Sequence, residues 1–381
     1  MQCPLDPQHT CFASKLESHL KKCNAREMPK PNYYRKNINA GLTASPIKVT
    51  LADTSTADLH ELVEKIETIY KDHVPEIATE ILTHEVLRQR LQDPYYGSFA
   101  QKHLQQQASI LGHMEQLGLL KNGHCFVEFG AGKGQMSHWV QQASPHSEDS
   151  HFVLVDRGAN RYKFDSFHKE EGPAFERIRM DIAHLNLSEI PSIKEKHTPI
   201  IGFSKHLCGA ATDLALCCLA STLPPPPSDN TSATGLPEEP TLHQCRGVVI
   251  ALCCHHRSDW NSYVGKRAFS EWGLSAADFS LICGMTSWAT CKLTDAGEQA
   301  NSRDNADSKT DVTVNHDENV AANAVRWDRE QVGGKCKRLI DHGRILYMKE
   351  RGFDCRVRFY VDSSVSPENV LLIATNDDNT R

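Results

Sequence analysis

The sequence predicts an α/β fold, and three observations carry that expectation. Residues 125–129 are short and apolar and read as a buried strand, Gly130, Gly132 and Gly134 follow at once, and residues 135–142 can continue as a helix. A second apolar strand, 152–156, ends in an acid, Asp156. Further strand candidates at 177–182, 199–204, 246–252, 355–361 and 370–374 are separated by stretches with helical character. A strand, a glycine turn and a helix in that order form the first unit of a Rossmann-like sheet, here expected to have seven strands. The glycines let the backbone approach a nucleotide closely. A plain glycine-rich turn is the bland alternative.

Two details sharpen the turn. Glu128 sits inside the first strand, and the pattern is Glu-Phe-Gly-Ala-Gly-Lys-Gly rather than the G-x-G-x-x-G of a dinucleotide-binding dehydrogenase. It resembles motif I of an S-adenosylmethionine (SAM) methyltransferase. Asp156 is then placed to accept hydrogen bonds from a ribose hydroxyl pair; the alternative is a solvated strand end or a helix cap.

The 381 residues suffice for one large domain with appendages, or for two domains. Net charge is −6, so nucleic-acid binding would have to rest on local patches. No apolar run approaches the roughly 18 residues that cross a membrane, and no N-terminal signal segment is visible. A soluble intracellular protein of the nucleus and/or cytoplasm is expected. The 14 cysteines include the neighbours Cys217-Cys218 and Cys253-Cys254, which read as thiols or metal ligands rather than a disulfide framework.

Taken in order, residues 1–27 carry Cys3, His9, His19 and Cys23 in a C-x5-H-x9-H-x3-C spacing. A helix over 14–23 puts His19 and Cys23 on one face, with Cys3 and His9 in a preceding loop. Two thiolates and two imidazoles satisfy tetrahedral zinc, and a segment this short needs metal to fold. It looks like the CHHC zinc finger of RNA-processing proteins. Residues 28–57 read as a polar, Pro-rich linker. Residues 58–120 read as a helical segment: one helix from 58, a second through Ile77, Ile81, Leu82 and Val86, and a third over 100–120. His103 is placed on a solvated helix face. Residues 121–381 form the SAM-dependent methyltransferase domain, with insertions near 221–245 and 295–330. A polar helix is expected over 157–169. Asp181 closes the third strand.

Two strand ends are rich in reactive side chains. Ser204-Lys205-His206 with Cys208 follows the fourth strand, and Cys253-Cys254-His255-His256 follows the fifth. In a parallel sheet both lie on the edge that carries Gly130–Gly134. A second zinc site, a packed structural cluster, and substrate positioning with proton transfer compete. Neighbours such as Cys253 and Cys254 point to opposite sides of an extended chain, which tells against a shared metal.

Together the glycine motif, Ser204-Lys-His-Leu-Cys-Gly-Ala-Ala-Thr-Asp213, Cys253-Cys-His-His256 and the N-terminal finger resemble a eukaryotic tRNA 2′-O-methyltransferase family that modifies the fourth nucleotide of the acceptor stem. That family carries a further cysteine/histidine cluster upstream of the finger, so a shortened form is expected. The resemblance implies methyl transfer from SAM to a ribose 2′-hydroxyl of tRNA. It implies Glu128, Gly130, Gly132, Gly134, Asp156 and Asp181 at the cofactor, with Asp181 near the adenine amino group. The hydroxyl needs a base or a cation to help remove its proton, and Lys205, His206, His255 and His256 are the candidates. The basic stretch Lys335, Lys337, Arg338, Arg344, Lys349, Arg351, Arg356 and Arg358 is expected on the RNA-binding face. The rivals are a SAM enzyme acting on a base or a protein, and a non-catalytic RNA-binding protein. A zinc deaminase is excluded because its H-x-E and P-C-x-x-C pair is absent.

Overall fold

The computed structural model describes residues 1–23, 30–41, 49–144, 149–158, 164, 174–196, 198–223, 245–289 and 328–376, less the side chains of Gln8 and His9. The two expected insertions and the helix expected after Asp156 fall almost entirely outside them.

The chain opens on an antiparallel hairpin, β1 (Gln2–Cys3) and β2 (Asp6–Thr10), followed by the short helix α1 (Leu16–Leu20). The zinc-ligand candidates Cys3 and His9 therefore lie on paired strands, not in a loop. Next comes α2 (Thr56–His73), whose N-terminus is capped by Ser55 accepting from the Asp58 amide. Helix α3 (Arg88–Gln92) and the long α4 (Ser98–Gln116) lead to the central sheet. The second helix expected through Ile77–Val86 does not form. Pro75 lacks an amide donor, and edge pairing is on offer. Phe359 donates its amide to the Ala78 carbonyl and accepts from the Glu80 amide, so residues 78–80 run along a sheet edge.

The sheet is built from β3 (Cys125–Phe129), then α5 (Gln135–Ala143), β4 (His151–Asp156) and β5 (Ala174–Arg179). Helix α6 (Pro191–Lys196), β6 (Ile200–Cys208), α7 (Ala210–Ala220) and β7 (Cys245–Cys253) follow. Two helices, α8 (Lys266–Glu271) and α9 (Ala276–Met285), precede α10 (Arg329–Lys349), β8 (Asp354–Phe359) and β9 (Val370–Thr375). The strand order is β5-β4-β3-β6-β7-β9-β8. The first five are parallel, and β9 and β8 join antiparallel, so the seven-stranded sheet is mixed.

Both sheet faces are covered, as a parallel sheet requires. On one face Leu104, Ala108 and Leu111 of α4 and Trp139 of α5 pack on Phe126, Phe203 and Val249. On the other, Leu216 and Leu219 of α7 and Ile345 and Met348 of α10 pack on Val127, Val248 and Leu372. A third apolar cluster joins α2, α9 and α10 through Ile66, Ile282 and Leu339.

Residues 30–41, expected as a solvated linker, are docked on the domain. The buried Asn39 amide donates to the carbonyls of Ile182 and Leu185 at 2.7 Å each, and the Arg35 amide donates to His184. These backbone pairings are not encoded in local composition.

Candidate active site

The parallel pairing of β3, β6 and β7 brings the glycine turn, Lys205 and Cys253 to one edge of the sheet. Gly134 caps the start of helix α5, and the turn holds φ values of +64° at Gly130, +50° at Gly132 and +78° at Gly134. A Cβ on Gly130 would meet the His206 carbonyl at 3.0 Å, so β6 seats directly against the turn. A Cβ on Gly132 would meet nothing within 4 Å, which leaves its backbone open to a ligand.

Glu128 is buried at the base of the turn and accepts from the amide and hydroxyl of Ser137 on α5. Burial pushes its carboxyl up to about 7, against the two Ser137 hydrogen bonds. Asp156 accepts from the Gly132 amide at 2.7 Å and from the Gly158 amide at 2.6 Å, tying the end of β4 to the turn. The Arg177 guanidinium donates to the Gly132 carbonyl at 2.8 Å. Asp181 lies two residues past β5 and caps a turn by accepting from the Ala183 amide.

The folded position of Glu128 sets a pH-dependent stability. Its value when folded lies above the ordinary 4.5, so its contribution is fully present below about 4.5 and is lost as pH rises through about 7. Glu128→Gln is expected to stabilise the ligand-free protein above pH 7 by on the order of 3 kcal/mol, with no gain at pH 4. Thermal unfolding followed across that range checks it.

Of the four catalytic candidates, Lys205 and His206 line the cleft beside the turn, and His255 and His256 do not. Lys205 sits in a register irregularity of β6 between Ser204 and Leu207. A cleft of about 210 Å³ is lined by Glu128, Gly130, Lys133, Lys205, His206 and His103. Lys205 Nζ is 2.9 Å from His103 Nδ1 of α4. Burial pushes Lys205 down from its ordinary value, and burial and then the neighbouring lysine push His103 down as well. The 102-residue separation hid this partner; a histidine one helix before the glycine strand was the only available signal. A larger cavity, about 340 Å³, opens at the opposite edge beside His151 and Ala174, the first residues of β4 and β5.

His255, the third candidate, does not line the cleft. It has no exposed surface, and its Nε2 lies 2.7 Å from Asp341 Oδ1 on α10. The same Asp341 accepts from Arg344, which also grips Asp213 of α7 at 3.1 and 2.7 Å. Burial alone would raise the Asp341 carboxyl, but His255, Arg338 and Arg344 hold it well below the usual carboxylate range. His256 is exposed on the turn after β7. His206 Nε2 lies 3.2 Å from Cys208 Sγ, and its Nδ1 lies 3.8 Å from Cys253 Sγ.

Most of the basic stretch on α10 and β8 is paired with acids rather than presented as a free cationic face. Arg344 and Lys337 are buried, with Lys337 Nζ 3.0 Å from Glu368. Arg338 reaches Asp341 at 3.2 Å, Arg356 reaches Asp354 at 2.6 Å, and Arg358 reaches Glu80 at 3.1 Å. Lys335 pairs with Glu67. Alternating charges look amphipathic in sequence, whereas here Lys337, Arg338 and Arg344 turn inward to internal partners, and Lys349 and Arg351 stay exposed.

At the N-terminus, Cys3 and Cys23 hold their sulfurs 3.7 Å apart, with His19 Nε2 3.1 Å from Cys3 Sγ. Thiolates bound to one zinc at about 2.3 Å each sit about 3.8 Å apart at the tetrahedral angle, so this donor set fits the ion. The His9 side chain lies outside the described residues.

Comparison with known families decides the lineage. The family model described as Methyltransferase TRM13 matches residues 105–375. The chain belongs to the TRM13 methyltransferase family. A second model, the U11-48K-like CHHC zinc finger, matches residues 1–24. TRM13 relatives named tRNA:m(4)X modification enzyme TRM13 homolog occur in Homo sapiens, 40% identical, and Mus musculus, 39% identical. Each alignment covers 98% of this chain and 85% of the relative. A TRM13 relative from Schizosaccharomyces pombe is 33% identical over 98% of this chain and 94% of its own length. No solved structure matches the chain. Among the described residues no helix is long and apolar enough to cross a membrane.

Proposed function

We propose that this chain transfers a methyl group from SAM to the ribose 2′-hydroxyl of the fourth nucleotide in the tRNA acceptor stem. The observation that carries the reading is the Lys205–His103 pair, 2.9 Å apart, in the cleft that ends at the glycine turn. The sheet order and strand directions suit a Rossmann-like SAM-binding domain, whose ligands lie outside the carboxyl ends of the strands. SAM, when bound, supplies the transferable methyl group. Glu128, Asp156 and Asp181 would hold its hydrogen-bond donors, and Gly130, Gly132 and Gly134 would admit it closely. Cys3, His9, His19 and Cys23 would hold zinc, which gives the finger its fold.

The residues of this chain then handle the hydroxyl. Lys205 donates a hydrogen bond to the oxygen as its negative charge develops. Nζ passes one proton to His103 Nδ1, 2.9 Å away, and takes the proton that the hydroxyl releases, so the lysine ends with its charge unchanged and the histidine carries the proton. The remainder of the rate comes from holding the oxygen in line with the methyl group. An A-form acceptor stem is read through its shape, phosphates and 2′-hydroxyls, so the substrate needs no base-specific slot at the cleft.

Labelled SAM and total tRNA, followed by digestion to nucleosides, test the chemistry. Label in a 2′-O-methylnucleoside is the expected outcome. Label in a methylated base, or none at all, would overturn the reading.

A further inference from the structure

We propose that His206, Cys208, Cys253 and Cys254 form a second zinc site, which pins the ends of β6 and β7 together. Cys208 and Cys253 are register partners on parallel strands, so their side chains leave the same face of the sheet. Their sulfurs are 3.8 Å apart. That is the separation expected of two thiolates on one tetrahedral zinc ion, about 3.8 Å. The two clusters match in their metrics. The finger has 3.7 Å between sulfurs and 3.1 Å from imidazole nitrogen to sulfur, and this site has 3.8 and 3.2 Å. In each, three donor atoms lie within 4.8 Å of one another.

The fourth donor comes from a backbone feature that strand periodicity conceals. Neighbouring residues in an extended chain point to opposite sides, which separates Cys253 from Cys254 on paper. Cys254 is not extended. It holds φ +52° and ψ +43°, one of only two non-glycine residues at positive φ among those described. The left-handed turn keeps the Cys254 thiol near Cys208 and Cys253 but outside the group of three donor atoms that lie within 4.8 Å of one another, so a small closing movement onto the ion completes the set. Such a conformation costs a side-chain-bearing residue about 1–2 kcal/mol and persists where surrounding structure fixes it. A metal bond is one such fixing interaction. The loops that meet here are already tightly joined: the Gly209 amide donates to the Cys253 carbonyl, and a Cβ on Gly209 would lie 2.5 Å from the Arg257 backbone.

Three thiolates and one imidazole around a divalent ion carry a formal charge of −1, which Lys205 and Arg257 beside His206 offset. A Cys3His set with no open position is a structural zinc site. Its consequence is positional. It fixes the strand segment one residue beyond Lys205 and keeps His206 out of proton transfer.

The test counts metal on the full-length protein purified in chelator-treated buffer, and its readout does not depend on methyl transfer. Two zinc ions per chain are expected for the wild type, and one for Cys3→Ser/Cys23→Ser. One is also expected for Cys208→Ser/Cys253→Ser. The Cys3→Ser/Cys23→Ser protein keeps the proposed ligands intact, so it serves even if the other variant fails to fold. Loaded with cobalt(II), it should show tetrahedral ligand-field bands and thiolate-to-cobalt charge transfer, with the latter weakened by Cys254→Ser. A wild type holding a single zinc that Cys3→Ser/Cys23→Ser abolishes would overturn the site. So would the absence of a thiolate–cobalt band in that variant, and an unchanged band in its Cys254→Ser derivative would remove Cys254 from the ligand set.

Discussion

Arg344→Met is expected to destabilise the fold by about 3–5 kcal/mol, the loss found when one partner of a buried ion pair is removed. Arg344 has no exposed side-chain surface, and neither does Asp213; Asp341 is 1% exposed. The guanidinium therefore pairs with two carboxylates that water cannot reach, one of them shared with Arg338. Its Nη2 also donates to Ser258 at 3.2 Å. One arginine thus joins the start of α7, the turn after β7 and the middle of α10. Without it both acids are left buried with less compensation, and His255 loses the setting that holds it against Asp341. Denaturant titration of the wild type and variant reads the loss. The triple variant Arg344→Met/Asp213→Asn/Asp341→Asn should recover part of it, because the two buried carboxylate charges are removed with the guanidinium, leaving only Arg338 short of its partner. A variant as stable as the wild type would show that the network contributes little.

The second large effect falls on chemistry rather than stability. Lys205→Ala is expected to slow methyl transfer by about 10²–10⁴-fold in single turnover, the usual range for a positioned proton-transfer group. Cofactor affinity should stay near the wild-type value, since Glu128 and Asp156 are untouched. Lys205→Arg keeps a cation beside His103 and should restore part of the rate, which separates charge stabilisation from simple space filling. His103→Ala should cost less than Lys205→Ala, because His103 acts on the substrate through Lys205. Equal rates for Lys205→Ala and wild type would remove the lysine from the reaction.

The edge that gathers these groups was readable in the sequence because it depends on local patterns. An apolar strand, closely spaced glycines and a helix specify the turn, and parallel strands must place their carboxyl ends together. The finger spacing was readable for the same reason. What stayed hidden rests on distant pairing. Lys205 finds His103 on α4, and His255 finds Asp341 on α10, across separations that no periodicity reports. The charges of α10 show why pattern fails there. Lys337 and Arg344 have the spacing of an exposed basic helix, yet acids from other elements draw them inward. Reversing Lys337 would therefore test folding before it tested RNA binding. Likewise, residues 78–80 carry helical spacing but follow Pro75 to the open edge of β8. Cys254 is the subtlest instance, since one left-handed residue undoes the alternation that separates adjacent side chains.

The most direct test of the account is an alkaline hydrolysis ladder of a defined tRNA treated with SAM and the full-length protein. Alkaline cleavage of RNA needs a free 2′-hydroxyl, so methylation there blocks the scission that follows the modified nucleotide. One gap in the ladder is expected, after the fourth nucleotide of the acceptor stem, complete with the wild type and largely filled in with Lys205→Ala. A methylated tRNA with an unbroken ladder would place the methyl group on a base and contradict the central claim.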